Sequence, residues 1–151
     1  MATNLQTRQF SSSAPRAWTG GTVRSGYGTD QLHLGMLEGQ AQKVFGVPAK
    51  TAKVEQHRFW VYPQLGLDVE FLGGRITGIF FFRKGEENHF ISASVALFPN
   101  VRFNLTRSEV TKSLGQPIAE AILPDGRSWI TFAGVQLDFD KDARLSRITI
   151  Y

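Results

Sequence analysis

The chain has no cysteine, which removes disulfides, thiolate metal sites and cysteine nucleophiles together. It also has no apolar run near the ~18 residues a membrane-spanning helix requires, so a chain that is soluble, or peripheral at most, is expected. Its three histidines, His33, His57 and His89, lie far apart, with no spacing that would place a metal-binding pair on one helix. The glycine-rich stretches Gly20-Gly21 and Gly26-x-Gly28 neither follow a predicted strand nor lead into a lysine in P-loop order, so a phosphate cradle is not indicated. The acid pairs Asp68/Glu70 and Asp138/Asp140 read as the wet sides of alternating strands. A general acid-base pair would need a water-poor pocket around it. No catalytic constellation, metal centre or cofactor site emerges, and a non-enzymatic role is expected, with an enzyme of unrecognised type as the last alternative.

Acids are absent from residues 1–29 as well, whereas Arg8, Arg16 and Arg24 are present among serines, threonines and glycines. Such a segment buries too little to fold alone. It reads as an extended basic arm that Phe10, Trp18 and Tyr27 could anchor on a partner. A second reading is an organellar transit peptide, with Arg8-Gln9-Phe10-Ser11 resembling a processing site. The arm has no apolar core of the secretory kind, so a cytoplasmic location is expected, or an organellar one if the arm is a transit peptide. The formal charge of +4 is spread among thirteen acids and does not by itself call for an anionic partner. Basic residues and aromatic strands leave a nucleic-acid-associated adaptor as a lesser reading, because the paired-strand aromatic signature of RNA binders is missing.

What the chain does contain is internal similarity. Leu34–Tyr62 aligns without a gap on Phe103–Thr131, placing Lys43 on Lys112, Gly46 on Gly115, Pro48 on Pro117, Arg58 on Arg127 and Trp60 on Trp129. The register continues through Gly66–Phe71 on Gly134–Phe139, and through Arg75-Ile76-x-x-Ile79 on Arg144-Leu145-x-x-Ile148. Within each copy a short helix is predicted. Thr106-Arg107-Ser108-Glu109 has capping-box order, and Gly115-x-Pro117 and Gly46-x-Pro48 are stop signals. Strand-like runs follow at Arg58–Pro63, Leu67–Phe71 and Ile76–Phe82, with counterparts at Arg127–Phe132, Val135–Phe139 and Leu145–Tyr151. Gly73-Gly74 and Lys141-Asp142-Ala143 read as hairpin turns. Residues 86–100 read equally as a strand or a short buried helix. The expected architecture is an α+β fold of two tandem helix-plus-antiparallel-sheet repeats sharing one layer of sheet. The arm would span 1–29, and a single domain 30–151 would hold repeat 1 (about 30–83) and repeat 2 (about 101–151).

The motif order Leu34-Gly35-Met36, helix, Phe45-Gly46-Val47-Pro48, Trp60-Val61-Tyr62, Gly66-Leu67-Asp68-Val69-Glu70-Phe71 resembles the β-lactamase-inhibitor-protein-like fold and the small outer-membrane assembly lipoproteins that share it. Leu114-Gly115-Gln116-Pro117 and Trp129 carry the resemblance into the second copy. It implies helices on one face of an antiparallel sheet, the other face or its loops gripping another protein, and neither catalysis nor a cofactor. The disulfides of the secreted inhibitors and the lipid-bearing cysteine of the lipoproteins have no counterpart here.

On this reading the chain is a protein-binding module, an accessory or assembly subunit or an inhibitor-like protein. Its contacts would be Phe10, Trp18 and Tyr27 on the arm, and Phe80, Phe82 and Tyr151, with Trp60, Tyr62 and Trp129, on an open sheet face. Arg58 and Arg127 stand beside the tryptophans, where they could stack on rings or clamp a carboxylate. Trp60 and Trp129 read equally well as core.

Overall fold

A computed structural model describes residues 18–151. Local signals place its two helices. Helix α1 (Glu38–Phe45) begins where the Gln40 side chain accepts the Leu37 N–H at 3.0 Å. Helix α2 (Arg107–Leu114) begins at a reciprocal cap: Thr106 Oγ1 accepts the Glu109 N–H at 3.2 Å and Glu109 Oε2 accepts the Thr106 N–H at 2.7 Å. Both stop at a glycine with positive φ, Gly46 at 74° and Gly115 at 85°.

Strands make up most of the rest. β1 (Gly21–Val23) precedes α1; β2 (Lys50–Val54), β3 (His57–Tyr62), β4 (Leu67–Leu72) and β5 (Arg75–Phe82) follow it. β6 (Val95–Leu97) lies in the middle of the chain, and β7 (Ala119–Ile122), β8 (Ser128–Phe132), β9 (Val135–Phe139) and β10 (Leu145–Ile150) follow α2. Eight of them form one antiparallel sheet in the order β2-β3-β4-β5-β10-β9-β8-β7, while β1 and β6 pair in parallel as a separate ribbon. The glycine and Lys141–Ala143 turns make the expected antiparallel hairpins β4–β5 and β9–β10. Of residues 86–100, Glu86–Asn88 is a single 3-10 turn and Val95–Leu97 is β6.

This corrects the expected class. The fold is β-rich rather than α+β with two helix-plus-sheet repeats. The reason lies in what covers the sheet. Each helix is eight residues long, and only Ala41, Phe45 and Val110 among their side chains are buried. The remaining cover on that side comes from non-helical chain: Val23, Leu32 and Met36 before α1, and Ala93, Val95, Leu97 and Val101 between β5 and α2. Under them the sheet contributes Leu67, Val69, Phe71, Ile79, Phe81, Leu137, Ile148 and Ile150, all at most 1% exposed. On β4, β9 and β10 these alternate with polar residues, as a one-sided sheet requires, whereas on β5 the residue between Ile79 and Phe81 is Phe80. Two turns of helix are too small to form a layer of their own.

Residues 18–29, read from sequence as part of the arm, are packed against this core. Val23 is fully buried, the Gly26 N–H reaches the Gly134 carbonyl at 3.0 Å, and Trp18 lies 5.2 Å from the Phe45 ring. Phe10 and the transit-peptide reading fall outside the described residues. No described helix is long and apolar enough to cross a membrane.

The sheet also breaks the gapless alignment of the two segments. β2 and β3 turn through Glu55-Gln56, whereas β7 and β8 turn through the longer Leu123–Arg127 loop. Trp60 therefore pairs with Val69, and Ile130 takes the matching place opposite Leu137. A slip of one residue moves a side chain to the other face of a sheet. Trp60 is buried on the core face, whereas Trp129, paired with Asp138, lies on the opposite face.

Candidate interaction surface on the open sheet face

The sheet face turned away from the helices carries the alternate set of side chains. Strand pairing aligns Lys50, Val61, Asp68, Phe80, Thr149, Gln136 and Thr131 in one row across the sheet. A neighbouring row holds Phe82, Arg147, Asp138 and Trp129. Phe59 and Phe80 meet with ring centroids 6.3 Å apart and remain partly exposed. Together with Val61 and Pro63 they floor an open depression bounded by Lys50, Asp68, Arg147, Glu87 and Asn88.

The carboxylates that strands β4 and β9 place on this face have partners. Glu70 pairs with His57, Asp138 accepts from Arg147 Nε at 3.1 Å, and Asp68 accepts from His89 Nε2 at 2.8 Å. His89 lies in a strap, residues 83–94, that folds over one end of the face. The strap is tied down by the Phe90 N–H to the Pro63 carbonyl and by the Ala93 N–H to the Phe82 carbonyl, both 2.9 Å. Arg83 anchors its start, donating to Asp140 at 2.7 Å, Glu86 at 2.6 Å and Asn104 at 3.0 Å.

The His89 ring is 2% exposed, stacks on Phe82 at 4.1 Å, and directs Nδ1 at the Glu86 carbonyl at 2.9 Å. With an acceptor at each nitrogen, the ring is held as the imidazolium. Burial opposes that charge, but the hydrogen bonds to Asp68 and to the Glu86 backbone outweigh it and raise the pKa above the usual histidine value. Asp140 shows the converse. Burial works against its charge, yet the Arg144 N–H and the Arg83 guanidinium together hold its pKa below the usual carboxylate range.

The residues singled out from sequence fall in several places. Phe80 and Trp129 share the open face, Trp129 on β8 lying beyond β10 and β9 from Phe80. Phe82 points to the same side but is 3% exposed beneath His89, so it belongs to the strap's seat rather than to a free surface. Trp60 and Tyr62 are buried on the core face, where the Tyr62 hydroxyl donates to the Gly46 carbonyl at 3.0 Å and burial pushes its pKa up. Trp18 roofs the core beside Phe45 and Phe81. Tyr27 is exposed and stacks on His33, and Tyr151 is exposed just past β10. Neither arginine stacks on its neighbouring tryptophan: Arg58 pairs with Glu38 at 2.7 Å and Arg127 with Asp125 at 2.7 Å. Phe59 and Val61 were missed in the sequence. The signal for them was their alternation with Trp60 and Tyr62, whose larger rings drew the assignment to the wrong face.

No group of histidines and acids that could hold a metal occurs among the described residues. No family model matches the chain, and no curated protein matches it. Among solved structures, an extracellular protein containing a SCP domain from Bacillus anthracis str. Ames is similar at 17% identity, with a TM-score of 0.52. The match takes in 77% of this chain and 43% of that one, so this chain spans less than half the length of that structure. At that identity the likeness is one of fold, and it accords with the β-rich class.

Proposed function

We propose that the chain is a non-catalytic protein-binding module, an accessory or inhibitor-like subunit that receives a protein partner on the open face of its sheet. The observation that carries this reading is the combination of partly exposed aromatic surface with strand acids that already have partners. Phe59, Val61, Phe80 and Trp129 offer apolar contact area of the kind that dominates interface energetics. Around them Asp68, Glu70 and Asp138 each keep an internal partner, so covering the face strands no unpaired carboxylate among these three. The sequence resemblance to inhibitor-type folds points the same way.

A photo-crosslinking residue at position 80, in tagged protein expressed in its source, tests the reading against the same residue at position 112 on the helix side. Position 80 should give one discrete protein adduct that position 112 does not. Phe80→Ala should then weaken binding of the purified partner by ~10-fold or more with little change in melting temperature. Equal adducts from both positions, or unchanged affinity of the Phe80→Ala protein, would refute it.

A further inference from the structure

The eight-stranded sheet has two edges, and they are built differently. β2 carries Lys50 and Lys53, charges of the kind that discourage another strand from adding to an edge. β7 carries no lysine. Its single charge, Glu120, is already engaged by Arg107 of α2, and Ile118 just before the strand and Ile122 at its end are 73% and 74% exposed. Unguarded edge backbone beside exposed isoleucines is an accepting site for a strand.

The sequence of that edge indicates which strand. Residues 118–122 read Ile-Ala-Glu-Ala-Ile, the same in both directions. An antiparallel pair of two such strands about a two-fold axis at Glu120 sets Ile118 opposite Ile122 of the second copy and Ala119 opposite its Ala121. A two-fold interface requires self-complementarity of this kind. The faces agree as well. Glu120 turns toward α2, so Ile118 and Ile122 turn with it and meet their counterparts on the helix side. Ala121, paired with Trp129, lies on the open-face side with Ala119, where small side chains allow close approach. We infer that β7 is a self-association edge, and that two copies join β7 to β7 in antiparallel register about Glu120, making one continuous sheet across the dimer. This surface is the sheet's edge, not its open face, so the inference stands apart from the partner proposed above.

Because the chain has no cysteine, single-cysteine variants report the register directly. In this geometry position 120 faces itself at ~4.5–5.5 Å between Cα atoms, within disulfide reach. Glu120→Cys should therefore form a disulfide-linked dimer under mild oxidation. Ile118→Cys and Ile122→Cys should each stay monomeric alone but link to one another when mixed. Sedimentation of the unmodified chain should show a concentration-dependent dimer that Ile122→Lys, a change at an exposed site, shifts at least ~10-fold toward monomer. A chain that remains monomeric at millimolar concentration would overturn the inference. So would a dimer indifferent to Ile122→Lys, or a Lys53→Cys variant on β2 that links as fast as Glu120→Cys.

Discussion

Replacing Asp68 by Asn tests the His89 latch most directly. The variant keeps the shape and an acceptor oxygen 2.8 Å from His89 Nε2 but removes the negative charge. A charge-assisted hydrogen bond is worth roughly twice a neutral one, so the loss at pH 6 should be ~1–2 kcal/mol. In a domain of this size that lowers the melting temperature by about 3–6 °C. The pH dependence is the sharper readout. The pKa of His89 is raised in the fold, so the stability it contributes is fully present below the unfolded value of 6.5 and is lost as pH rises through the folded value. Urea unfolding of the wild type between pH 6 and 8.5 should therefore show stability falling with pH, at no more than ~1.4 kcal/mol per pH unit from this group. Asp68→Asn brings the folded pKa down, so the fall should shrink and start at lower pH. Wild-type stability that stays flat or rises across this range, or an identical decline in the variant, would refute the assignment of a buried imidazolium.

Leu137→Ala, at a fully buried site on the core face, should cost about 3–4 kcal/mol in urea unfolding. Phe82→Ala removes the ring on which His89 stacks and should cost about 3 kcal/mol, with the greatest rise in hydrogen exchange at the strap amides of Phe90 and Ala93. Gly134→Ala should be strongly destabilising by thermal melt: the backbone has φ 74°, and an added Cβ would stand 2.5 Å from Gly26 Cα, prising the segment around Gly26 off the sheet.

The parts of the fold that could be read in the sequence are those whose residues answer to a local rule. Alternation marked β4 and β9, turn glycines marked the β4–β5 hairpin, and Thr106 with Glu109 marked the start of α2. β2 and β7 escaped notice because nearly every residue in each is exposed, so neither has an apolar period to detect. The packing of residues 18–37 escaped for a different reason. Val23 and Leu32 are isolated apolar residues among polar ones, and their burial depends on contacts with distant chain. For the candidate site, Phe80 was legible because consecutive phenylalanines on a strand must divide between faces. The opposite orientations of Trp60 and Trp129 were not, because they depend on the length of a loop whose effect on register appears only once the strands are paired.

The position of β10 bears on how the chain is assembled and handled. It is the last described strand to leave the ribosome, yet it lies between β5 and β9, with Ile148 paired to Phe81 on one side and to Leu137 on the other. Until residues 145–150 arrive, β5 presents a long hydrophobic edge that any other chain could extend, and the two halves of the sheet have no strand in common. Trimming a few residues from this strand would divide the sheet at its centre.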